Sequence, residues 1–343
     1  MTAGAPGGDA LVLLPPAAPL VAASHGSVAH RLTGRSMGTA WRLVLAAPPE
    51  MVLTPVQARI EACLDALVRQ MSHWEPGSEL GRFNRLPAGQ WQTLSPDFTQ
   101  VMRLALQVAG QSDGAFDPAL ARAVERWGFG PTGRFDSAGF VAPAGVDVEP
   151  PGAWRGLRLD GARLQQPGGC RLDLSAIAKG HAVDAVAAVL RADGHHHFLF
   201  ELGGELYGEG LKADGQPWWA ALERPPGAAG LPPLRAALVG QAMATSGDYR
   251  QGFRDAQGRW CSHTLDPRTQ APVQHALASV SVLHERCAAA DALATALFVM
   301  GPDEGRAWAD RHGVAAWFVA HDSDAPGGWC EGPSAALQAW LDD

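Results

Sequence analysis

The sequence predicts an α+β fold in which mixed, largely antiparallel sheets pack with helices in two intimately packed lobes. Apolar residues follow the period of a strand in some segments and of a helix in others, without the regular succession of a parallel βαβ protein. Hydrophobic residues make up 47% of the 343 residues and charged residues 18%, an ordinary globular composition. No repeat of short period occurs. We therefore expect a single domain over residues 29–343, preceded by a flexible tail over residues 1–28.

The first predicted elements of this domain are a strand and two helices. The strand is predicted over residues 35–46. Residues 55–71 carry apolar side chains every three or four positions, and this spacing predicts a helix. A second helix is predicted over residues 95–110, because a proline and an aspartate follow its first serine. The polar segment 72–84 between the two helices contains aromatic residues, and loops of this kind often carry binding residues.

The remaining segments predict mostly strands. Residues 130–153 are rich in Gly, Pro and Ala and predict a surface connection. A hairpin is predicted over residues 157–165. Further strands are predicted at residues 198–202, 218–223, 234–239, 278–283 and 315–320, with a Pro/Gly loop at residues 225–233.

The charge and the cysteines exclude several classes of function. The formal net charge is −8, and no stretch combines clustered Lys and Arg with interleaved aromatic residues, so we expect no nucleic-acid partner. The five cysteines are scattered and form no CxxC pair, which argues against a zinc site built from cysteine. Their odd number favours a reducing compartment, so we expect the cytoplasm.

The N-terminal segment contains an apolar stretch, residues 10–23, that includes three prolines. The stretch is too short to span a membrane, and no Lys or Arg precedes it as in a secretory leader. We therefore expect no transmembrane segment. Export through an atypical or replaced leader is the alternative, and it would place the protein in the periplasm.

Asp291 and Thr295 interrupt the apolar, helix-favouring run 287–298. Their spacing of four residues puts both side-chain oxygens on one helix face. No Lys or Arg lies three or four residues from Asp291 to compensate its charge, whereas a hard cation held by oxygen ligands would do so. The structural alternative is that the helix dipole stabilises Asp291 in the first turn and that Thr295 donates to a backbone carbonyl.

Lys179 lies near the predicted start of another helix. A short strand is predicted to end at Asp173, Ser175 can cap the helix, and the helix runs to about Arg191 before Gly194 ends it. The helix dipole disfavours a cation at this end unless an anion is nearby, and phosphate is the usual anion at such a position. The alternative is a solvated surface lysine.

Seven separated motifs follow one another in an order typical of one protein family. They are Met37-Gly38-Thr39, residues 71–84, Gly114-Ala115-Phe116-Asp117-Pro118, residues 173–184, Glu201-Leu202-Gly203-Gly204, Ser246-Gly247-Asp248-Tyr249 together with His263-Thr264-Leu265-Asp266-Pro267, and residues 290–295. From about residue 31 to residue 320 the chain resembles the ApbE family, the FAD:protein FMN transferases. Each motif is weak evidence alone, and the evidence lies in their joint order.

The resemblance implies an ApbE-like, T-fold-related architecture and a reaction. FMN would be transferred from FAD, the substrate, to a threonine hydroxyl of an acceptor flavoprotein with a Ser/Thr-rich segment, with release of AMP and a requirement for Mg²⁺. The implied magnesium ligands are the backbone carbonyl of Ala176 and the side chains of Asp291 and Thr295. The implied flavin and pyrophosphate contacts are Met37, Trp74, Glu79, Asn84, Ala115, Phe116, Asp117, Asp173, Lys179 and Leu265.

Three residues are expected to act in catalysis. Such transfers depend mainly on positioning and charge neutralisation, which we assign to Asp291 with its Mg²⁺ and to Lys179. His263 is the titratable residue in the matching motif that can accept the proton of the attacking hydroxyl, although a structural role is the alternative. Trp74 could stack on a flavin or adenine ring or belong to the core. The run of three histidines, residues 195–197, is predicted to be a solvated turn.

The chain departs from the family pattern at three places. The lipoprotein leader of exported members is missing, which puts a periplasmic setting in doubt. Ser175 and Ala176 stand where many relatives have two glycines, which leaves a backbone carbonyl ligand possible. Gln270 replaces the usual glycine after residues 266–269, so the turn is expected to differ in shape.

Two other functions compete with the transferase. In an FAD pyrophosphatase, water replaces the threonine, and free FMN and AMP result from the same site residues. A non-catalytic FAD-binding or storage protein would hold FAD without turnover. The presence of Asp291, Thr295 and Lys179 speaks against storage, because binding alone does not require a leaving pyrophosphate to be neutralised.

Overall fold

The computed structural model describes residues 11–15, 21–143, 152–228 and 230–342. The helices in these residues are α1 Thr54–Met71, α2 Glu79–Phe83, α3 Pro96–Gln111, α4 Ala121–Arg126, α5 Ala178–Ala192, α6 Cys287–Met300, α7 Pro302–His312 and α8 Ala335–Asp342, and two short 3₁₀ helices are Ala153–Gly156 and Pro326–Gly328. The strands are β1 Leu11–Leu13, β2 Val28–Ser36, β3 Thr39–Ala47, β4 Trp91–Thr93, β5 Arg158–Asp160, β6 Arg163–Gln165, β7 Phe198–Leu202, β8 Glu205–Glu209, β9 Trp218–Ala221, β10 Leu234–Leu238, β11 Gln241–Gly247, β12 Gly252–Arg254, β13 Trp260–Ser262, β14 Leu265–Asp266, β15 Ala271–Pro272, β16 Leu277–His284, β17 Ala315–His321 and β18 Trp329–Pro333.

One large sheet organises the chain. Its eight strands follow the order β18-β17-β16-β11-β8-β7-β3-β2, and every neighbouring pair is antiparallel. The described pair β1–β10 is parallel and belongs to a separate three-stranded sheet, β1-β10-β9. The predicted α+β class with largely antiparallel sheets is therefore confirmed.

The large sheet separates two hydrophobic cores. Alternate residues of β17 enter different cores, since Ala316 and Phe318 belong to one and Trp317 and Val319 to the other. The side chains of a strand point to opposite faces in turn, so the two cores lie on opposite faces of the sheet. The larger core contains side chains of α1, α3, α5 and α6, and the smaller core contains those of β9, β10 and α8.

Helix α6 lies inside the larger core and is buried on almost every side. Every residue of α6 except Thr295 is buried. A helix that is apolar all round must be enclosed by other elements. This explains why residues 287–298 read as an apolar run without a polar face.

Several predicted elements are confirmed and one is wrong in its topology. Helices α1 and α3 and strand β7 match their predicted segments. Residues 39–46 of the strand predicted over residues 35–46 belong to β3, but residues 35 and 36 end β2, and Met37 and Gly38 form the turn of the hairpin β2–β3 with φ of 48° and 74°. The sequence hides this hairpin because β2 is an edge strand with many exposed residues and lacks the apolar alternation of a half-buried strand.

The predicted N-terminal tail is wrong for residues 11–13. These residues form β1 on β10, and Leu13 is fully buried in the smaller core. The backbone amide of Leu14 donates to the carbonyl of Trp340 in α8, 3.1 Å away. Residues 1–10 and 16–20 of the predicted tail lie outside the described residues.

Other differences concern irregular segments and missed strands. The predicted strand ending at Asp173 does not form, and residues 170–177 have neither helical nor strand structure. Residues 130–143 form no helix or strand, as expected for a connection, and residues 144–151 lie outside the described residues. Strands β8 and β11, which carry residues of the candidate site, were not predicted from the sequence.

Candidate active site

A cavity of about 450 Å³ lies where several loops meet the helices α5 and α6. All but three of the residues predicted for the site line it. Those lining it are Met37, Ala115, Phe116, Asp117, Asp173, Ala176, Lys179, His263, Leu265, Asp291 and Thr295. The three outside are Trp74, Glu79 and Asn84.

Asp291 is a nearly enclosed carboxylate, with an exposed fraction of 5%. It lies in the second turn of α6 rather than in the first, and it accepts a hydrogen bond from the backbone amide of Gly180, 3.0 Å away. Burial raises the pKa of Asp291, and the charge of Lys179 opposes this effect. The opposing charge comes from Lys179 of α5 and not from α6 itself.

The cavity brings three oxygen donors of the predicted cation site together. Thr295 lies one turn after Asp291, and its hydroxyl is 3.1 Å from the hydroxyl of Ser246. Ala176, whose carbonyl is the third predicted ligand, lines the same cavity. A carboxylate, a hydroxyl and a carbonyl are donors that hard divalent cations prefer, so these residues fit Mg²⁺. Among the described residues no group of three His, Cys, Asp or Glu side chains offers a different metal site.

Lys179 is not a free surface lysine, because its ammonium group forms an ion pair with Glu205. Burial lowers the pKa of Lys179, but the charges of Glu205 and Asp291 outweigh this effect and leave the pKa above its usual value. Lys179 is thus held as a cation at the inner wall of the cavity.

Glu205 is the most important residue that the sequence analysis missed. It is 2% exposed, and its second carboxylate oxygen, Oε2, has no hydrogen-bond partner in the described part of the chain. Burial raises the pKa of Glu205 to about 7, with Lys179 opposing and Asp291 reinforcing the shift. The signal in the sequence was a glutamate directly after the motif 201–204.

Asp184 connects the same two helices at a second point. Its carboxylate accepts hydrogen bonds from the backbone amides of Cys287 and Ala288, 2.7 and 3.0 Å away. These amides belong to the start of α6, where no residue of the helix itself can accept from them. Gly180 allows the helices to approach, because a Cβ atom at this position would overlap the carbonyl oxygen of Cys287.

His263 faces the cavity as a neutral imidazole. Its Nδ1 lies 3.2 Å from the carbonyl oxygen of Gln251. A carbonyl only accepts, so Nδ1 carries the proton and Nε2 keeps its lone pair. Burial lowers the pKa of His263, and the charges of Lys179 and Arg250 lower it further.

The irregular segment before α5 is fixed by Asn84 and Asp173. Asn84 donates to the carbonyl of Leu172 and accepts from its amide, at 2.9 and 2.7 Å. Asp173 accepts from the amide and the hydroxyl of Ser175, at 2.8 and 2.6 Å. The prediction that Ser175 caps the helix is therefore wrong. Helix α5 begins at Ala178, after Ile177.

Trp74 and Asn84 line a second cavity of about 370 Å³, which shares Asp173 and Val124 with the first. Trp74 is 47% exposed, so the alternative of a core tryptophan is wrong. The guanidinium of Arg134 lies 5.7 Å from the centre of its ring. An exposed ring in a cavity next to the first can stack on a planar ligand.

Glu79 lies away from both cavities. Its carboxylate accepts from the amide and the hydroxyl of Ser95, at 3.1 and 2.8 Å, and so holds the start of α3. The structure places Glu79 as a support for the segment that carries Trp74 and Asn84, and not at the surface that would hold a ligand.

The histidine run and the departure at Gln270 have structural explanations. His196 lies 3.2 Å from Glu209, and His197 accepts from the amide of Leu211, so residues 195–197 lie in the connection from α5 to β7, outside the cavity. Gln270 adopts φ of 54°, the left-handed conformation that glycine favours. The turn therefore keeps a glycine-like backbone despite the side chain.

Comparisons with known proteins agree on one family. Residues 37–318 match the sequence profile of the ApbE family. A protein of Vibrio cholerae named FAD:protein FMN transferase is 33% identical over 315 residues, which cover 90% of this chain and 92% of the relative. The same name belongs to a protein of Klebsiella pneumoniae that is 29% identical over 90% of this chain and 89% of the relative.

Solved structures are similar over nearly the whole chain. The flavinyl transferase ApbE of Pseudomonas stutzeri, in its apo form, superposes with a TM-score of 0.79 at 35% identity over 92% of this chain and 98% of its own. The flavin transferase ApbE of Vibrio cholerae gives a TM-score of 0.76 at 30% identity over 91% of this chain and 99% of its own.

Proposed function

The chain belongs to the ApbE family and is a transferase enzyme, and we propose that it transfers FMN from FAD to a threonine hydroxyl of an acceptor flavoprotein, with release of AMP. The acceptor presents this threonine in a Ser/Thr-rich segment. The observation that carries the proposal is that one cavity collects Asp291, Thr295, Lys179 and His263 from segments far apart in the sequence.

The cation site supports a dependence on Mg²⁺. Asp291, Thr295 and the carbonyl of Ala176 would hold the ion, which when bound supplies positive charge to pyrophosphate oxygens. Asp291 is buried and accepts a hydrogen bond from Gly180, and a cation beside it would offset the cost of burying its charge further than Lys179 alone.

The side chains of the cavity account for binding and orientation of FAD. Lys179 places a fixed positive charge at the inner wall, where the pyrophosphate carries its negative charge. Phe116 and Leu265 are buried apolar residues that line the same cavity and suit the flavin ring. Met37, Ala115, Asp117 and Asp173 complete the proposed flavin contacts, and Trp74 offers its ring at the adjoining cavity.

The transfer step needs a base, an electrophile and a leaving group. His263 accepts the proton of the threonine hydroxyl at Nε2, since Nδ1 already carries a proton. The threonine oxygen forms a bond to the phosphorus of the FMN phosphate, and the bond from that phosphorus to the bridging oxygen of the AMP phosphate breaks. Lys179 opposes the negative charge that builds up during this exchange.

The test is an incubation of the protein with FAD, Mg²⁺ and a synthetic Ser/Gly peptide that contains one threonine. We expect the peptide mass to increase by one FMN, AMP to appear in equal amount, and both to be lost on chelation. His263→Ala should slow the transfer by about 10²–10⁴-fold. His196→Ala is the matched control, because it removes an imidazole outside the cavity.

Other products would identify the competing functions. Free FMN and AMP without labelled peptide would show an FAD pyrophosphatase. Bound but intact FAD in the presence of Mg²⁺ and peptide would show a storage protein and would contradict a transferase.

The compartment remains a separate proposal. We propose the cytoplasm, on the basis of the cysteine content, with the periplasm as the alternative. A C-terminal fusion to a reporter that is active only in the periplasm would decide between them.

A further inference from the structure

A second surface depression adjoins the active-site cavity on the large sheet. This side groove, of about 510 Å³, is lined by residues of β3, β7, β8 and β11 and by the end of β9. It shares Thr39, Gly203, Thr245 and Arg250 with the cavity. None of the residues proposed to bind FAD or Mg²⁺ lines it, so the groove remains open to a second reactant.

The end of β9 borders the side groove with a free sheet edge. In the order β1-β10-β9, β9 pairs with β10 alone, and no other described strand pairs with it. The amide of Leu222 donates to the carbonyl of Leu234, the first residue of β10, 3.0 Å away. In an antiparallel pair, successive residues point their backbone amide and carbonyl alternately toward the partner strand and away from it. The amides and carbonyls of Ala221 and Glu223 therefore point away from β10.

A turn of two glycines separates the side groove from the cavity. Arg250 donates to the carbonyl of Gly203, 2.8 Å away, and forms an ion pair with Glu223. A Cβ atom on Gly204 would come within 2.7 Å of the Arg250 guanidinium. Thr39, Gly203 and Arg250 line both spaces, so the side groove and the cavity meet at this turn.

The charges of the side groove balance. Arg42 and Arg250 oppose Glu201 and Glu223 among its lining residues. A groove with two charges of each sign has no overall preference for an acidic or a basic chain, and it suits an uncharged segment rich in hydroxyl groups.

We propose that the acceptor segment binds in the side groove as an added strand on the free edge of β9 and crosses the glycine turn to bring its threonine to His263. This inference rests on the proposed function and names the place of its second substrate. Main-chain hydrogen bonds to Ala221 and Glu223 would supply affinity without requiring a particular side chain, as in other proteins that bind a peptide by strand addition.

The deciding variant is Ala221→Pro. Proline removes the amide that points away from β10, leaves the hydrogen bonds to β10 in place and is tolerated on edge strands. With FAD, Mg²⁺ and the single-threonine Ser/Gly peptide, we expect the KM for the peptide to rise about tenfold, as for one lost hydrogen bond. The Kd for FAD should not change. Ala221→Val is the matched control, because it changes the side chain and keeps the amide.

A second measurement does not depend on the variant folding. Hydrogen exchange of the parent protein should show protection of the Ala221 and Glu223 amides when the peptide is added. A parental KM in Ala221→Pro, or unchanged exchange at both amides, would overturn the docking site. Failure of the proposed function would differ from this, because the parent protein itself would then leave the peptide unlabelled.

Discussion

The helices α5 and α6 are joined at two points by the same device, and the two points differ in what surrounds them. At one, Asp184 of α5 accepts from two amides at the start of α6. At the other, Asp291 of α6 accepts from one amide at the start of α5. Burial raises the pKa of both carboxylates.

The difference lies in the remaining hydrogen-bonding capacity. Asp184 receives two amides, whereas Asp291 receives one and faces the cavity together with Lys179 and Thr295. A buried carboxylate that lacks partners is costly, and it persists where a ligand supplies them. We therefore assign a structural role to the Asp184 junction and a role in binding and catalysis to the Asp291 junction.

The strongest test of this comparison is Asp291→Asn. Asparagine can still accept from Gly180 but carries no charge to hold a cation. We expect flavin transfer to fall about a thousandfold, the loss of about 4 kcal/mol of electrostatic stabilisation. The melting temperature without Mg²⁺ should stay the same or rise, because a buried carboxylate is removed. A large drop in melting temperature would assign Asp291 to stability instead.

Gly180→Ala tests the contact that both junctions share. The added methyl group overlaps the carbonyl of Cys287 and should destabilise the protein by about 2 kcal/mol, despite the better helix propensity of alanine. Chemical denaturation would measure this loss. Ala188→Gly, at an exposed position of the same helix, is the control for propensity alone.

Asp184→Ala tests the structural junction. Two amides at the start of α6 lose their acceptor, so we expect a loss of about 2 kcal/mol in unfolding free energy. The transfer rate per folded molecule should remain close to that of the parent. A rate as low as that of Asp291→Asn would show that the two junctions cannot be separated.

Glu205→Gln should give the smallest effect of these variants. It tests the charged groups beside the Asp291 junction. The pKa of Glu205 in the folded protein, about 7, lies above its usual value of 4.5 because burial disfavours the carboxylate. A raised pKa contributes stability that is complete below about pH 4.5 and is lost as the pH rises through 7. Melting temperatures of the apo protein over this range should therefore depend less on pH in Glu205→Gln. An equal slope in both proteins would contradict the raised pKa of Glu205.

Prediction from the sequence succeeded where the evidence was local. The four-residue spacing of Asp291 and Thr295 and the periodicity of α1 each lie within one helix, and the structure contains both features. The resemblance to the ApbE family correctly indicated the α+β class, because motif order survives where single residues vary.

Prediction failed where a partner lies far away along the chain. Glu205 is 26 positions from Lys179, and no local sequence pattern near either residue indicates their ion pair. Glu79 matched a family motif, yet Ser95, sixteen positions away, engages its carboxylate. Strand β1 was assigned to a tail because its partner β10 follows more than two hundred residues later.

By itself, the sequence determined which residue types are available, which faces of α1 and α3 are apolar, and that Asp291 has no counter-charge on its own helix. The tertiary structure decided which of two similar aspartates faces a cavity, that His263 is neutral, and that a free sheet edge adjoins the site. The physical reason is that burial, hydrogen-bond partners and pKa depend on groups brought together from different segments, and local patterns do not contain those distances.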